Sequence, residues 1–413
     1  MSVFRVLREC WRRVVDALLA YLIPRIEERL FCSLHALLLF YRRYTKQEIR
    51  PKTLLLIRLD RMGDYCLFRN FLKPLRESYP DYEITLGCSK YNRELVDLCG
   101  DTNFIDRIIV IDNNKWNFWS LLKTLFFFSR QSYEIVVYAM YRRVYFYDLL
   151  VYIIHAKHKI RSQYFEPNSK KYLTSSSLTL QSKDSIYTTI LDASPATLFE
   201  FDRNKEFFSQ LLKKPLADIK YHLDLPPLPK DFSLSCKPYG VFFLGASVPR
   251  KKWSLQSWIE LALKISPDFQ IVLCGSKEEI SEAQEIMLGF PKALNLVGQT
   301  TFIELLHILS QSSFIVSLET AIPHFTVALG LGPIFVICNG SALGRFVPYP
   351  EYMQANYHVI YHPKIEGLLA TPHGFGRCME IYTNNKLDLR IYCPGFITKV
   401  VEKMKAVDER LVR

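Results

Sequence analysis

The stretch TLLLIRLDRMGD, Thr53 to Asp64, joins an apolar run to a turn that carries two carboxylates, Asp60 and Asp64, and an amphipathic helical pattern follows it. A strand ending in such a turn delivers side chains to a cleft, because ligands of open α/β sheets gather beyond the carboxyl ends of the strands. Asp60 and Asp64 are therefore candidates for chemistry. Asp64 also suits the plainer role of helix N-cap, and either Asp can be a salt-bridged loop residue. Gly63 between them permits positive φ or a close backbone approach.

Outward from this turn, apolar runs alternate with helix-period segments. Strands are expected at Thr53 to Leu59, Glu83 to Cys88, Arg107 to Ile111 and Tyr133 to Ala139, with helices near Leu67 to Tyr79, Asn92 to Cys99 and Phe118 to Ser129. A second series places strands at Tyr239 to Leu244, Gln270 to Cys274, Ala293 to Leu296, Phe314 to Ser317 and Ile334 to Ile337. Its helices fit Leu255 to Ile265, Ile280 to Met287 and Ile303 to Gln311. Such alternation argues for parallel, doubly wound sheets. Between the series, LDLPPLPKD, Leu223 to Asp231, has three prolines in nine residues and reads as a stiff connector. Two Rossmann-like halves facing a cleft follow, at 51–228 and 229–413, with a helical extension at 1–50. Tyr164 to Ser185, rich in Ser, Lys and Tyr, reads as a surface loop or lid.

The 413 residues exceed one ordinary core, and a 49% apolar, 23% charged composition is that of folded protein. A net charge of +12 favours anionic partners. No zinc-finger spacing, RNP-like motif or dense Lys/Arg block accompanies it, which argues against nucleic acid. The ten cysteines are scattered without a CxxC pair, and several, such as Cys88 and Cys274, sit in apolar strand patterns. That usage suggests reduced core thiols in a cytosolic protein and no metal cage. The first fifty residues hold ten Lys and Arg against five acids, interleaved with apolar and aromatic residues. Their apolar runs fall short of the roughly 20 residues that span a bilayer. The segment reads either as an interfacial helix or hairpin on an anionic membrane or as a helical extension packed on the body.

Four further motifs end strands of the second series. GASVPRKKW, Gly245 to Trp253, offers small residues at Gly245 and Ser247 and the cations Arg250, Lys251 and Lys252 for phosphates, or is a solvated basic loop. CGSKEE, Cys274 to Glu279, ends a strand at the same edge. VGQTTFIEL places Gln299 and Thr300 before a helix that Thr301 and Glu304 can cap as a box. SLETAIPHFTVALG, Ser317 to Gly330, runs from a strand into a helix whose free amides suit a phosphate. There Thr320 can cap and Pro323 fits the first turn. His324 either donates to the anion or is structural. No GxGxxG fingerprint follows any strand, which argues against a nicotinamide or flavin site.

Taken in order, RLDRMGD, YPDYEITLGCSKYNRELVDLCGDTNFIDRIIVID, GASVPRKKWSLQSWIEL and GQTTFIELLHILSQSSFIVSLETAIPHFTVALG, with the Cys378 and Cys393 region, resemble glycosyltransferase family 9. This family includes the lipopolysaccharide heptosyltransferases, and the resemblance covers about Lys52 to Met404. It implies a GT-B fold and an inverting, metal-independent transfer of a sugar without a cofactor. The expected reaction moves heptose from ADP-heptose to a lipopolysaccharide-core or related lipid-linked saccharide. A protein-glycosylating or other nucleotide-sugar transferase and an inactive glycan-binding relative are the alternatives.

The resemblance also implies site roles. Asp64 matches the general base and Lys251 the donor-phosphate lysine, while Thr320 and His324 match the phosphate-binding Asp-Thr-Gly-x-x-His segment. Glu319 stands where the family has Asp and Ala321 where it has Gly. The longer carboxylate moves its oxygens by about one methylene, and the methyl of Ala321 pushes the backbone from a phosphate if positive φ is required there. A nucleoside contact falls on Lys277 or Glu278. Asp60, Arg61, Gly63, Arg142 and Arg143 are expected on the acceptor side, with Arg142 and Arg143 equally readable as a solvated helix start. No DxD-like pair is placed to hold a metal, so cations and the helix terminus stand in. The expected location is cytoplasmic, peripheral on the inner face of the membrane.

Overall fold

A computed structural model describes residues 47–111, 118–164, 185–228, 234, 238–383 and 387–412. The extension 1–46 and the loop 165–184 lie outside the described residues, as do 229–231 of the proline-rich connector.

The first sheet holds β1 (Thr53–Arg58), β2 (Glu83–Ser89), β3 (Arg107–Ile111), β4 (Ser132–Tyr138), β5 (His155–Ser162) and β6 (Thr189–Leu191) in the order β3-β2-β1-β4-β5-β6. The second holds β7 (Tyr239–Phe243), β8 (Gln270–Cys274), β9 (Leu294–Asn295), β10 (Phe314–Leu318), β11 (Ile334–Cys338) and β12 (Tyr357–Tyr361) in the order β12-β11-β10-β7-β8-β9. Every described pairing of these strands is parallel. Read from its other edge, the second sheet repeats the winding of the first. Each winds outward from its first strand, reverses, and opens a crevice at the carboxyl ends where the order turns. In the first sheet the turn falls between β1 and β4, in the second between β7 and β10. This is the two-sheet GT-B fold.

Local composition explains the layering. All six residues of β1 are buried, with Leu54 and Leu56 in one core and Leu55 and Ile57 in another. Successive side chains of a strand point to opposite faces, and a strand covered on both faces is apolar throughout. β10 divides likewise, with Ile315 on one side and Phe314, Val316 and Leu318 on the other.

The helices of the first half are α1 (Met62–Cys66), α2 (Leu72–Ser78), α3 (Lys90–Leu98), α4 (Phe118–Ser129), α5 (Tyr145–Ile153) and α6 (Glu200–Leu211). Those of the second are α7 (Leu255–Lys264), α8 (Ile280–Gly289), α9 (Phe302–Ser310), α10 (Ile322–Ala328), α11 (Pro363–Leu369), α12 (Gly374–Thr383) and α13 (Pro394–Val407). One core runs across the two halves, joining Tyr65, Phe68 and Phe208 to Val241, Ile322 and Phe325. Tyr221, in the chain leading to the connector, donates to the His324 carbonyl at 2.6 Å.

Three strands escape the sequence expectation. β5 reads HAKHKIRS, whose five basic residues mask its pleat, while β6 has three residues and β12 five. The expected helix Leu67 to Tyr79 is displaced into α1, a 3₁₀ turn at Arg69–Phe71 and α2. The described cysteines are unpaired thiols, with Cys88 and Cys274 buried. Among the described residues no helix is long and apolar enough to cross a membrane.

Candidate active site at the facing strand ends

The turn after β1 is built around Arg58, the last residue of that strand and fully buried. A buried guanidinium needs counter-charge and acceptors, and Arg58 finds both. Nε meets an Asp60 oxygen at 2.8 Å, Nη1 donates to Asn204 Oδ1 at 3.0 Å and to the Ala139 carbonyl, and Nη2 donates to Glu200 Oε1 at 3.1 Å. The Asp60 carbonyl accepts from Ser89 Oγ and Asn92 Nδ2, each at 3.0 Å, which fastens the turn to the ends of β2 and α3.

Asp64 lies in the first turn of α1. The cap position belongs to Arg61, and Asp64 accepts a hydrogen bond from the Arg61 backbone. Its Oδ1 also accepts from Arg345 Nη2 at 3.0 Å, and Arg345 Nε donates to Glu200 Oε2 at 2.9 Å. Arg345 belongs to the loop after β11, so this contact crosses between the halves. Burial is the largest influence on the Asp64 carboxyl and pushes it above its ordinary value, with help from Glu200 and against Arg345 and Arg58. Burial likewise pushes Asp60 up, to about 8, against the pull of Arg58. Burial also acts on Glu200, but Arg345 and Arg58 outweigh it and hold that carboxyl below the usual range.

The carboxylates of Asp60, Asp64 and Glu200 converge, with one oxygen of each within 4.8 Å of the others. Such a set offers oxygen ligands of the kind Mg²⁺ or Ca²⁺ takes. Here two guanidinium groups already supply the counter-charge, so the cluster reads as an ion-pair network.

Across the cleft, Lys251 Nζ contacts Glu319 Oε1. Glu319, at the end of β10, also accepts from Ser341 Oγ at 3.2 Å and from Cys338 Sγ at 3.1 Å. Burial, reinforced by Glu319, raises the Cys338 thiol well above its ordinary value and keeps it a donor. Lys252 turns away, to Glu282 at 2.6 Å and Glu279 at 3.1 Å. Gly245 packs against Glu279, and a Cβ there would lie 3.2 Å from Oε2. Ser247, Glu278 and Gln299 are exposed, Thr300 is half-buried, and Gln299 Nε2 donates to the Asn295 carbonyl at 2.9 Å.

At the mouth of α10 the cap is Ala321, while Thr320 Oγ1 accepts from the Ile322 amide at 3.2 Å. Ala321 has φ −70°, a conformation any residue adopts, so its methyl adds no backbone strain where the family has Gly. His324 is buried, with Nδ1 2.7 Å from Tyr349 Oη. Burial, with Lys251 adding to it, lowers its imidazole to about 3, so it is neutral at physiological pH. Gly63 lies against its ring, and a Cβ at Gly63 would come within 2.8 Å of Cδ2. Gly63 thus serves a close approach between the halves.

Asp60, Asp64, Lys251, Glu319, Thr320, Ala321 and His324 therefore gather at the two facing edges. Arg61 is exposed at the turn. Arg143 points inward to Asp148 at 3.0 Å, an oxygen pair completed by Tyr187 at 2.6 Å, and Arg142 is exposed. Arg58, Glu200, Arg345 and Tyr349 belong to the site without having been singled out in the sequence. The available signal was Arg58 itself, a cation inside an apolar strand that calls for a carboxylate partner.

With this geometry the class is a two-sheet GT-B protein with a charged cleft at both topological switch points. Residues 192–336 match the model of glycosyltransferase family 9 (heptosyltransferase). In three dimensions it is similar to a glycosyl transferase family 9 structure from Veillonella parvula DSM 2008, at TM-score 0.59 and 17% identity over 87% of this chain and 98% of that one. It is also similar to E. coli heptosyltransferase WaaC with ADP, at TM-score 0.55 and 17% identity over 75% and 93%. E. coli ADP-heptose lps heptosyltransferase II follows, at 0.51 and 15% over 81% and 99%. At these identities the likeness shows the fold. No curated protein matches the chain in sequence.

Proposed function

We propose that the chain is an inverting glycosyltransferase that moves heptose from ADP-heptose to a hydroxyl of a lipopolysaccharide-core or related lipid-linked saccharide. The carrying observation is that Asp64, in the first turn of α1 just beyond β1, meets Arg345 of the second half, while its neighbour Gly63 packs on Ala321 and His324 at the mouth of α10. In this reading residues 51–228 receive the acceptor and 229–413 the nucleotide-sugar. Asp64 takes the proton of the attacking hydroxyl, and its burial-raised carboxyl makes it a better acceptor than a solvated Asp. Charge on the departing diphosphate is met by Lys251 and by the amides around Thr320, acting as fixed donors. His324, held neutral, contributes a hydrogen-bonding ring without added charge. The donor is assigned by analogy with the neighbours, E. coli heptosyltransferase WaaC with ADP and E. coli ADP-heptose lps heptosyltransferase II.

One observation favours a second reading, a catalytically inactive glycan-binding relative: Asp64 and Lys251 each already hold an opposite charge. Incubating the full chain with a panel of nucleotide-sugars and a Kdo-terminated lipid saccharide separates the two. The proposal expects transfer from ADP-heptose with inversion at the anomeric carbon. Turnover with a non-heptose donor alone contradicts the heptose assignment, and no turnover with any donor favours the inactive relative.

The location follows as part of the same proposal, cytoplasmic and peripheral, with Met1 to Arg50 holding the enzyme at an anionic surface. Deleting that segment moves the protein from anionic liposome pellets to the supernatant in this reading. Unchanged pelleting assigns the membrane contact to the folded body.

A further inference from the structure

Arg345 is presented by a tightly folded loop. Its amide donates to Ala342 O at 3.1 Å, and Gly344 donates to Val347 O at 2.7 Å. Gly344 has φ +74°, and a Cβ there would lie 2.9 Å from Thr197 of the first half. The site therefore requires glycine both for its backbone conformation and for its closeness to the opposite half. The Arg345 guanidinium lies over the Phe346 ring at 4.4 Å, which orients its donor fork.

Three contacts then tie Arg345 to the first half. Nη2 reaches Asp64 Oδ1 and Nε reaches Glu200 Oε2, while the Arg345 carbonyl accepts from the Glu200 amide at 2.8 Å, at the start of α6. Glu200 is in turn anchored by Arg58, so the chain of charges runs Arg58, Glu200, Arg345, Asp64. The reacting half and the opposing half share one network.

We propose that Arg345 is a positioning residue for Asp64, a fork from the second half that orients the base for proton transfer when the two halves are docked. This rests on the reading of Asp64 as base. The groups that face Asp64 are Arg58 from β1, Asp60 and the Arg61 backbone from the turn, Glu200 from α6 and Arg345 from the loop after β11. His324 of α10 packs on the neighbouring Gly63. Of the two cations, Arg345 alone comes from the second half. Its positive charge favours the carboxylate, so removing it strengthens proton binding at Asp64. Opposite charges at this range move a carboxyl by about 1–3 pH units, and the 40% exposure of the Arg345 side chain places the effect at the lower end.

The test uses the full chain with ADP-heptose and a Kdo-terminated lipid saccharide, comparing wild type with R345Q and R345K. The acidic limb of kcat/KM moves up by about one pH unit in R345Q and by less in R345K, which keeps the charge but loses the fork. Carboxyl-¹³C NMR of labelled aspartate, with the Asp64 resonance assigned by D64N, reads the same shift without turnover. R345Q coinciding with wild type in both readouts overturns the proposal. If R345Q does not fold, R345K decides. A lowered kcat at unchanged donor KM supports positioning, and wild-type values of kcat, KM and midpoint overturn it. Retained transfer in D64N removes the base assignment and the positioning role with it, whereas loss of transfer in D64N with no shift in R345Q overturns the positioning role alone.

Discussion

Asp64 and Lys251 belong to different halves and each is held by an opposite charge, but their partners come from different places. Arg345 reaches Asp64 from the other half, whereas Glu319 holds Lys251 from within the same half. Separating the halves would take Arg345 from Asp64, leaving it the Arg61 backbone and Arg58, and would leave Lys251 paired. The first half thus draws one partner of its carboxylate from docking, and the second carries its cation ready-set. The same contrast holds for burial, since Arg58 is wholly enclosed while Arg345 is 40% exposed.

The largest effect is expected at the enclosed end of the network. Arg58→Met leaves Glu200 and Asp60 without their buried partner and costs about 3–5 kcal/mol, measured by chemical denaturation. An unchanged midpoint would mean that Arg345 alone neutralises the cluster. Next comes Lys251→Met, which removes a charge-assisted contact of about 1.5–3 kcal/mol and raises the donor KM about 10- to 100-fold. Lys252→Met, whose ammonium is committed to Glu279 and Glu282, leaves that KM within about twofold. Equal effects at the two lysines would erase the distinction that their partners draw.

A further effect is a pH dependence. Folded His324 stays neutral down to about 3, whereas the unfolded imidazole takes its proton near 6.5. The folded state binds fewer protons in that window, so the His324 contribution is full above about pH 6.5 and is lost as pH falls towards 3. His324→Gln removes this part of the slope when stability is followed against pH. A difference curve that is flat between pH 3 and 6.5 would place the ring in contact with solvent.

The alternation of strands and helices was legible because buried parallel strands are near-continuous apolar runs. β1 and β10 are of this kind, and β5 with its five basic residues is not. The carboxylate turn, the lysine loop and the mouth of α10 were also legible, since each follows a strand whose carboxyl end opens on a crevice. Their pairings were not. Glu200 lies 142 residues from Arg58, and Arg345 lies 281 residues from Asp64. No local pattern announces a contact that depends on how two halves meet. Adjacent Lys251 and Lys252 look alike as letters, and only the positions of Glu319, Glu279 and Glu282 distinguish them.

The central claim, sugar transfer with Asp64 as base, is tested most directly by D64N in the full chain with ADP-heptose and a Kdo-terminated lipid saccharide. The account predicts a fall in kcat/KM of about 10² to 10⁴ in a protein that keeps its fold. Transfer at the wild-type rate in D64N would contradict it.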